Sequence, residues 1–384
     1  MKYCGSCGNQ LIDEAQFCPY CGSQCNSRSG GTANRAEGES GLTDLFDKLT
    51  DSVSKMTGGD DVVRPPFKKI FSQVFKKHSR QEAEEIFIYG TDKTTPKLTN
   101  EASAWPQPWL FSRVLLAFVT AFVMMFVIAD LFQNILIYPG LMVIGAFTVP
   151  IAVFVFFFEL NTPRNISFFT SIKIFLVGGC ASLLVTQVLF AFFPPGELDF
   201  VGAIIVGIVE EIAKLAIVVF FIAREKTAKY SLNGLLIGAL VGAGFAAFES
   251  AGYAFIQLMD YGYTSMLTNI LLRGILAPGG HVVWAAMAGY AVMLVKKNQK
   301  FRFGIFFRPA FWKVFWMPIV MHAVWDMPIP IGAEFALVQF VLCILSWVVM
   351  FVLIDNSLDQ MAEVLREGEN SEEPEFFDPA GMNS

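Results

Sequence analysis

Residues 110–132, LFSRVLLAFVTAFVMMFVIADLF, form a nearly continuous apolar run in which only Arg113 and Asp130 are charged. A helix of about 20 apolar residues crosses the hydrocarbon core of a bilayer, so this run predicts a membrane-spanning helix. Seven similar runs follow it along the chain. The eight predicted spans are 110–132, 135–158, 171–193, 200–223, 232–258, 265–295, 310–327 and 334–354. We therefore expect an all-α polytopic membrane protein with about eight transmembrane helices.

The overall composition supports the same class. Of the 384 residues, 54% are hydrophobic and only 16% are charged, whereas soluble proteins carry about 25% charged residues. This composition excludes a soluble enzyme and a disordered chain. The net charge is -6 and no large basic domain is present, so we expect the lipid bilayer as a partner and no nucleic acid.

The charges in the gaps between spans predict the orientation. Lys and Arg occur in the gaps after the second, fourth and sixth spans, and none occurs in the gaps after the first, third, fifth and seventh. Such alternation follows the positive-inside rule, under which basic gaps lie in the cytoplasm. The N-terminus lacks the pattern of a cleavable signal peptide, so the first span is expected to act as the targeting signal. We predict a multi-pass protein of a bacterial cell membrane with both termini cytoplasmic.

Five of the seven cysteines lie near the N-terminus. Cys4, Cys7, Cys18 and Cys21 form two C-x-x-C pairs, each able to offer two thiolates to one tetrahedral zinc ion. Disulfides are the alternative, and a reducing cytoplasm argues against them. The spacing predicts a structural zinc ribbon. The expected organisation is a zinc ribbon at 1–22, a flexible linker with amphipathic helices at 23–104, a membrane domain at 105–355 and an acidic cytoplasmic tail at 356–384.

Two stretches of the linker have helical periodicity. In residues 42–56, apolar side chains recur at helical spacing, and in residues 67–77, FKKIFSQVFKK, aromatic and aliphatic residues alternate with lysines. A basic helix with an aromatic face favours an anionic membrane surface. The alternative is an ordinary helix that packs on a partner domain.

Glycine and proline predict local features of the later spans. The sixth span is interrupted by Pro278-Gly279-Gly280, which predicts a kink or partial re-entry. In the fifth span, small residues allow close helix packing. The glycines expected to make such approaches are Gly238, Gly242, Gly244 and Gly252.

Charged and imidazole groups concentrate in four of the later spans, although each charge costs about 2.5–3.5 kcal/mol to insert. These groups are Glu210, Glu211, Lys214, Glu249, Arg273, His281, His322 and Asp326. Several costly groups at a similar depth usually mark a functional site. Arg273 is expected either to balance a carboxylate or to extend toward the membrane surface.

Helical spacing predicts two pairs within this set. Lys214 follows Glu210 by four residues, and Asp326 follows His322 by four, so each pair lies on one helical face. Glu211 points about 100° away from Glu210, and the two carboxylates are therefore expected to have different neighbours.

Three functions are compatible with these groups. A carboxylate and imidazoles around a water form a hydrolytic site, with or without a metal. The same groups suit an ion or proton relay of a transporter. They also suit a catalytically silent scaffold in which buried pairs only hold helices together.

The order of the motifs resembles the PrsW family of intramembrane proteases, related to the CAAX-type membrane endopeptidases. The resemblance covers about residues 105–355 and rests on four features in order. These are Glu210-Glu211 with Lys214, then Phe245-x3-Glu249, then His281 followed by Gly289-Tyr290, then His322-x3-Asp326. Ser250 stands where the family commonly has Asn.

The resemblance implies an endopeptidase that cleaves membrane-anchored, single-span proteins, typified by site-one cleavage of an anti-sigma factor. It implies that Glu210 and Glu211 match the di-Glu motif and that His281 and His322 match the later histidines. We expect Glu211 or Glu210 to deprotonate a water held with the two histidines, and Lys214 to tune the carboxylate pair. A divalent metal among Glu211, Glu249 and the histidines is left open.

Overall fold

The computed structural model describes residues 2–3, 10–11, 37–59, 61–91, 93–330 and 336–372. The four predicted zinc ligands and the end of the acidic tail (373–384) lie outside the described residues. The chain divides into compact units of residues 1–46 and 47–384. In the first unit, β1 (Lys2–Tyr3) pairs antiparallel with β2 (Gln10–Leu11).

In its described part the second unit has helices joined by turns and loops, and α1 includes residues of both units. The helices are α1 (Glu37–Thr57), α2 (Phe67–Ile70), α3 (Arg80–Ile88), α4 (Leu110–Phe132), α5 (Tyr138–Leu160), α6 (Phe168–Lys173), α7 (Gly179–Phe192), α8 (Phe200–Arg224), α9 (Ser231–Tyr261), α10 (Tyr263–Leu276), α11 (His281–Lys296), α12 (Pro309–Asp326) and α13 (Leu337–Glu372).

Six helical segments in the described residues are long and apolar enough to cross a membrane. They are Leu110–Phe132, Ile135–Leu160, Phe168–Phe192, Ser231–Tyr261, Tyr263–Lys296 and Leu337–Glu367. The predicted count of eight is therefore not confirmed. The fourth and seventh predicted spans are present as the helices α8 and α12, which are not among the six. Glu210, Glu211 and Lys214 lie in α8, and Lys313, His322 and Asp326 lie in α12.

The predicted interruption of the sixth span is confirmed. A 3₁₀ turn, Ala277–Gly279, separates α10 from α11. Gly280 precedes α11, and His281 is the first residue of that helix. The break therefore places the His281 side chain at a helix start inside the bundle.

The predicted helix over residues 67–77 is wrong in extent. Only α2 is helical there, and turns follow it through Lys76. The apolar spacing is satisfied by tertiary contacts instead, since the Phe67 ring packs edge-on against Phe351 and the Phe71 ring against Phe111. By contrast, α1 includes the whole of the predicted helix over 42–56.

Part of the predicted linker packs on the membrane domain. Val63 belongs to the main hydrophobic core. The Trp105 Nε1 atom donates to Asp355 Oδ1 at 3.0 Å, and Thr162 Oγ1 donates to the Ala102 carbonyl at 2.6 Å. Val63 and Ala102 lie within the predicted linker (23–104), and the division of the chain into that linker and a membrane domain stays a prediction.

Candidate active site

The charged residues of four predicted spans line one cavity of about 270 Å³. Its polar wall consists of Glu210, Glu249, Arg273, His281, His322 and Asp326. The cavity extends to the loop between α7 and α8 at Pro195 and Leu198. Together with Glu211 and Lys214 behind this wall, all seven predicted catalytic residues lie in one cluster. Their roles in catalysis stay a prediction.

Two glycines bring the site helices into contact. A Cβ atom on Gly207 of α8 would overlap the backbone of Ala323 in α12, the residue after His322. A Cβ atom on Gly242 of α9 would overlap the carbonyl of His281. Close backbone approach at these points sets the positions of both imidazoles. Gly238 and Gly244 also make close approaches as predicted, whereas the prediction for Gly252 is wrong, because no described atom lies within 4 Å of its Cβ position.

Glu211 lies behind the cavity and joins two helices. Its Oε1 atom is 2.7 Å from Lys214 Nζ and 2.8 Å from His322 Nδ1. The Glu211 and Lys214 side chains are fully buried. Lys214 therefore bonds Glu211, three residues away, while its Nζ lies 3.4 Å from Glu210 Oε2. The predicted pairing of Glu210 and Lys214 is present only as this longer contact.

Glu210 faces the cavity, as expected for a carboxylate with neighbours different from those of Glu211. Its Oε2 atom lies 3.6 Å from His322 Nε2. Among the described residues, no group forms a hydrogen bond with this buried oxygen. A buried carboxylate oxygen without a hydrogen bond is costly, and it is therefore a position where water or a cation would be stabilised.

Glu249 forms the opposite side of the site. It is ion-paired with Arg273, and its Oε2 atom lies 3.1 Å from His281 Nε2. Arg273 Nε also donates to Ser250 Oγ at 2.8 Å. Of the two alternatives for Arg273, the structure therefore shows the one in which it balances a carboxylate.

His322 and Asp326 share one helical face, as the spacing predicted. The His322 Nε2 atom lies 3.5 Å from Asp326 Oδ2. Pro318, one turn before His322, lies inside α12. The His322 side chain is 2% exposed and that of Asp326 is 23% exposed, so Asp326 is the part of this pair nearer the cavity mouth.

The aromatic side chains that support the imidazoles were not predicted. The buried Trp284 ring lies 4.8 Å from the His322 ring and donates through Nε1 to Ser346 Oγ at 3.1 Å. The Tyr253 ring lies in the cavity wall under the Arg273 guanidinium. Helical spacing could have indicated both, since Trp284 follows His281 by three residues and Tyr253 follows Glu249 by four.

The donor set fits a divalent metal ion. Ligand atoms of Glu210, His281 and His322 all lie within 4.8 Å of one another. A tetrahedral zinc ion about 2.1 Å from its ligands keeps those ligands about 3.4 Å apart, close to the 3.6 Å between Glu210 Oε2 and His322 Nε2. The contact of His322 Nδ1 with Glu211 matches the carboxylate that commonly orients a metal-binding histidine.

The charges of the site support the same conclusion. Four carboxylates and two permanent cations are present, which leaves two negative charges when both histidines are neutral. The carboxylates are Glu210, Glu211, Glu249 and Asp326, and the cations are Lys214 and Arg273. A divalent ion would balance this excess. The described residues grouped closely enough to hold it are Glu210, His281 and His322. The set with Glu211 and Glu249 stays an open prediction.

Comparison with known families decides between the three functions. Residues 162–354, half of the chain, match the profile described as "PrsW family intramembrane metalloprotease". The chain belongs to the PrsW family. This membership favours a membrane protease over the transporter and the silent scaffold. Residues 3–24 match a zinc-ribbon domain, as the C-x-x-C pairs predicted.

Two curated PrsW proteases are similar to this chain. Protease PrsW of Clostridioides difficile (strain 630) is 23% identical over 204 residues, which cover 50% of this chain and 81% of the relative. Protease PrsW of Halalkalibacterium halodurans is 23% identical over 218 residues, which cover 54% of this chain and 94% of the relative. No solved structure matches the chain.

Proposed function

We propose that this PrsW-family protein hydrolyses a peptide bond of a membrane-anchored protein at the cavity formed by Glu210, His281 and His322. The observation that supports the proposal most is Glu210 Oε2. This oxygen is buried, forms no hydrogen bond with the described residues and faces His322 across a cavity. A cavity of about 270 Å³ is large enough for several water molecules or a short substrate backbone segment.

The two carboxylates of the di-Glu pair have different roles in this proposal. When no metal ion is bound, Glu210 is the proton acceptor for a water in the cavity, because it lines that space and its Oε2 atom accepts no hydrogen bond from the described residues. Glu211 orients His322 and does not line the cavity. Glu249, which lines the cavity, contacts the other histidine, His281, at its Nε2 atom. Lys214 and Arg273 balance the carboxylates that they contact.

The same residues would hold a divalent metal ion, which the family description implies. When bound there, such an ion would polarise the peptide carbonyl and promote ionisation of water. The ligands would be Glu210, His281 and His322, with Glu211 keeping the His322 ring in place. We also propose that zinc is the metal of the N-terminal ribbon, held by Cys4, Cys7, Cys18 and Cys21.

The proposed substrate is a single-span membrane protein cut near the outer membrane surface, as an anti-sigma factor is in site-one cleavage. The loop charges support a bacterial cell membrane location with both termini cytoplasmic. In that orientation the cavity opens at the α7–α8 loop on the outer side. We propose the ribbon (1–22), the linker with its helices (23–104), the protease domain (105–355) and the acidic tail (356–384) as functional units.

The test is cleavage of a single-span reporter by the purified protein in liposomes. Glu210→Gln is expected to reduce the rate by about 10²–10⁴-fold, the usual contribution of a positioned acid–base group. The matched control is Asp260→Asn, which neutralises an exposed carboxylate near the end of α9. Equal rates for Glu210→Gln and the unaltered protein would refute the proposal.

A further inference from the structure

Lys214 lies among the atoms that would bind the metal. Its side chain is fully buried. The Nζ atom is 2.8 Å from His281 Nδ1 and 3.4 Å from Glu210 Oε2, so it contacts two of the three residues in the metal-binding set. An ammonium group that donates to an imidazole nitrogen uses the lone pair that a metal ion needs.

Further contacts keep this ammonium group in position. Glu211 Oε1 accepts from Nζ at 2.7 Å. On another side, Nζ lies 4.3 Å from the centre of the Phe245 ring, a cation–π contact from α9. Because the side chain is enclosed, the charge cannot move to solvent when a cation enters the site.

The two ring nitrogens of His281 both have contacts within the site. Its Nδ1 atom contacts Lys214, and its Nε2 atom contacts Glu249. Both ring nitrogens therefore have partners within the protein. His322 is different, because Nδ1 contacts Glu211 while Nε2 lies 3.5 Å or more from its nearest carboxylates. His281 is thus the member of the set that a metal ion must compete for.

We propose that Lys214 lowers the affinity of the Glu210–His281–His322 set for a divalent metal ion. Its ammonium group donates to His281 Nδ1, and its positive charge, 3.4 Å from Glu210 Oε2, repels the ion at short distance. This inference rests on the proposed function, since it assumes that the set binds metal. It implies that the site exchanges its metal readily, whereas the ribbon retains its own.

Arg273 provides a matched control. It is the other cation of the site, but it contacts Glu249 and Ser250, which are both outside the metal-binding set. Removing Arg273 therefore changes the net charge by the same amount without freeing an atom of the set. Lys214→Met removes the charge and the donor, and Lys214→Gln removes the charge while keeping a donor of hydrogen bonds.

The experiment measures zinc bound to the full-length protein in detergent, by elemental mass spectrometry, after equilibration with buffered free Zn²⁺. His322→Ala gives the background due to the ribbon. Lys214→Met and Lys214→Gln are expected to bind the second zinc about 10–100-fold more tightly than the unaltered protein, the size of effect that groups next to metal ligands have. Arg273→Met is expected to change the affinity by a smaller factor.

Three results would overturn the proposal. If both Lys214 variants bind the second zinc no more tightly than the unaltered protein, the proposal alone fails. If Arg273→Met raises the zinc affinity as much as Lys214→Met, the change in affinity is due to net charge and not to the contact of Lys214 with His281. If no variant binds more zinc than His322→Ala at any concentration, the metal part of the proposed function fails as well.

Discussion

His322 Nδ1 lies 2.8 Å from Glu211 Oε1, and the side chains of both residues are almost fully buried. A carboxylate in this position favours the ring form with a proton on Nδ1 and a free lone pair on Nε2. The Nε2 atom then faces Glu210 and Asp326 at the cavity. The adjacent acids of the di-Glu pair thus lie on two sides of one imidazole.

This arrangement predicts different effects for the two acids. In Glu211→Gln, the side chain loses its charge but keeps an acceptor for Nδ1, so we expect reporter cleavage to fall by about 10–100-fold, as for other groups that orient a ligand. In Glu210→Gln we expect a larger loss of the cleavage rate. Initial rates of reporter cleavage in liposomes measure the effect of each substitution. A larger loss in Glu211→Gln than in Glu210→Gln would contradict the assigned roles.

A second prediction concerns the contact between α8 and α12. Gly207→Val places a side chain against the backbone of Ala323, which moves His322 away from Glu211. We expect a loss of stability of about 1–3 kcal/mol from overpacking and a strong loss of cleavage. Thermal unfolding in detergent and the reporter assay measure these changes.

Gly252→Val is the matched control, because no described atom lies near its Cβ position. It is expected to leave cleavage near that of the unaltered protein. Comparable losses in the two variants would show that valine in a glycine position is harmful wherever it is placed, and that the contact at Gly207 has no special importance.

A third prediction concerns a buried amide cluster at the end of the bundle away from the cavity. Asn233 Nδ2 donates to Asn161 Oδ1 at 2.8 Å and to Asn165 Oδ1 at 2.7 Å. Asn233→Ala removes a donor from both oxygens, and the loss of a partner by a buried polar group costs about 1–3 kcal/mol. We expect a lower unfolding temperature, while Asn298→Ala, at an exposed position, should have no effect. Equal unfolding temperatures would show that the cluster does not stabilise the fold.

A fourth prediction concerns the ribbon. Cys18→Ser removes one thiolate of the predicted zinc site, so one zinc per chain should be lost, whereas Cys25→Ser should retain it. Elemental mass spectrometry measures the content. Retention of the full zinc content by Cys18→Ser would contradict the assignment of the four ligands.

The sequence predicted the helices well where membrane insertion alone determines them. Predicted limits such as 110–132 match α4, because an uninterrupted apolar run has few other stable structures in a bilayer. The short segment 67–77 was less predictable. Its apolar spacing suits a helix, but contacts of Phe67 and Phe71 with distant rings decide its structure.

The members of the site were predictable, whereas their partners were not. Spacing on α8 allows Lys214 to reach either Glu210 or Glu211. The observed pairing depends on neighbouring helices, since His281 of α11 contacts the ammonium group and His322 of α12 contacts Glu211. Likewise, the pairing of Arg273 with Glu249 depends on how α10 packs against α9. The spacing of residues within one helix does not predict which residues of another helix they contact.

The most direct test of the central claim is cleavage of a single-span reporter in liposomes prepared in water labelled with oxygen-18. Mass spectrometry of the products locates the new carboxyl terminus and its label. The account predicts incorporation of labelled oxygen at that terminus with the unaltered protein and almost no product with Glu210→Gln or His322→Ala. An intact reporter with the unaltered protein, or equal labelled product from all three proteins, would contradict it.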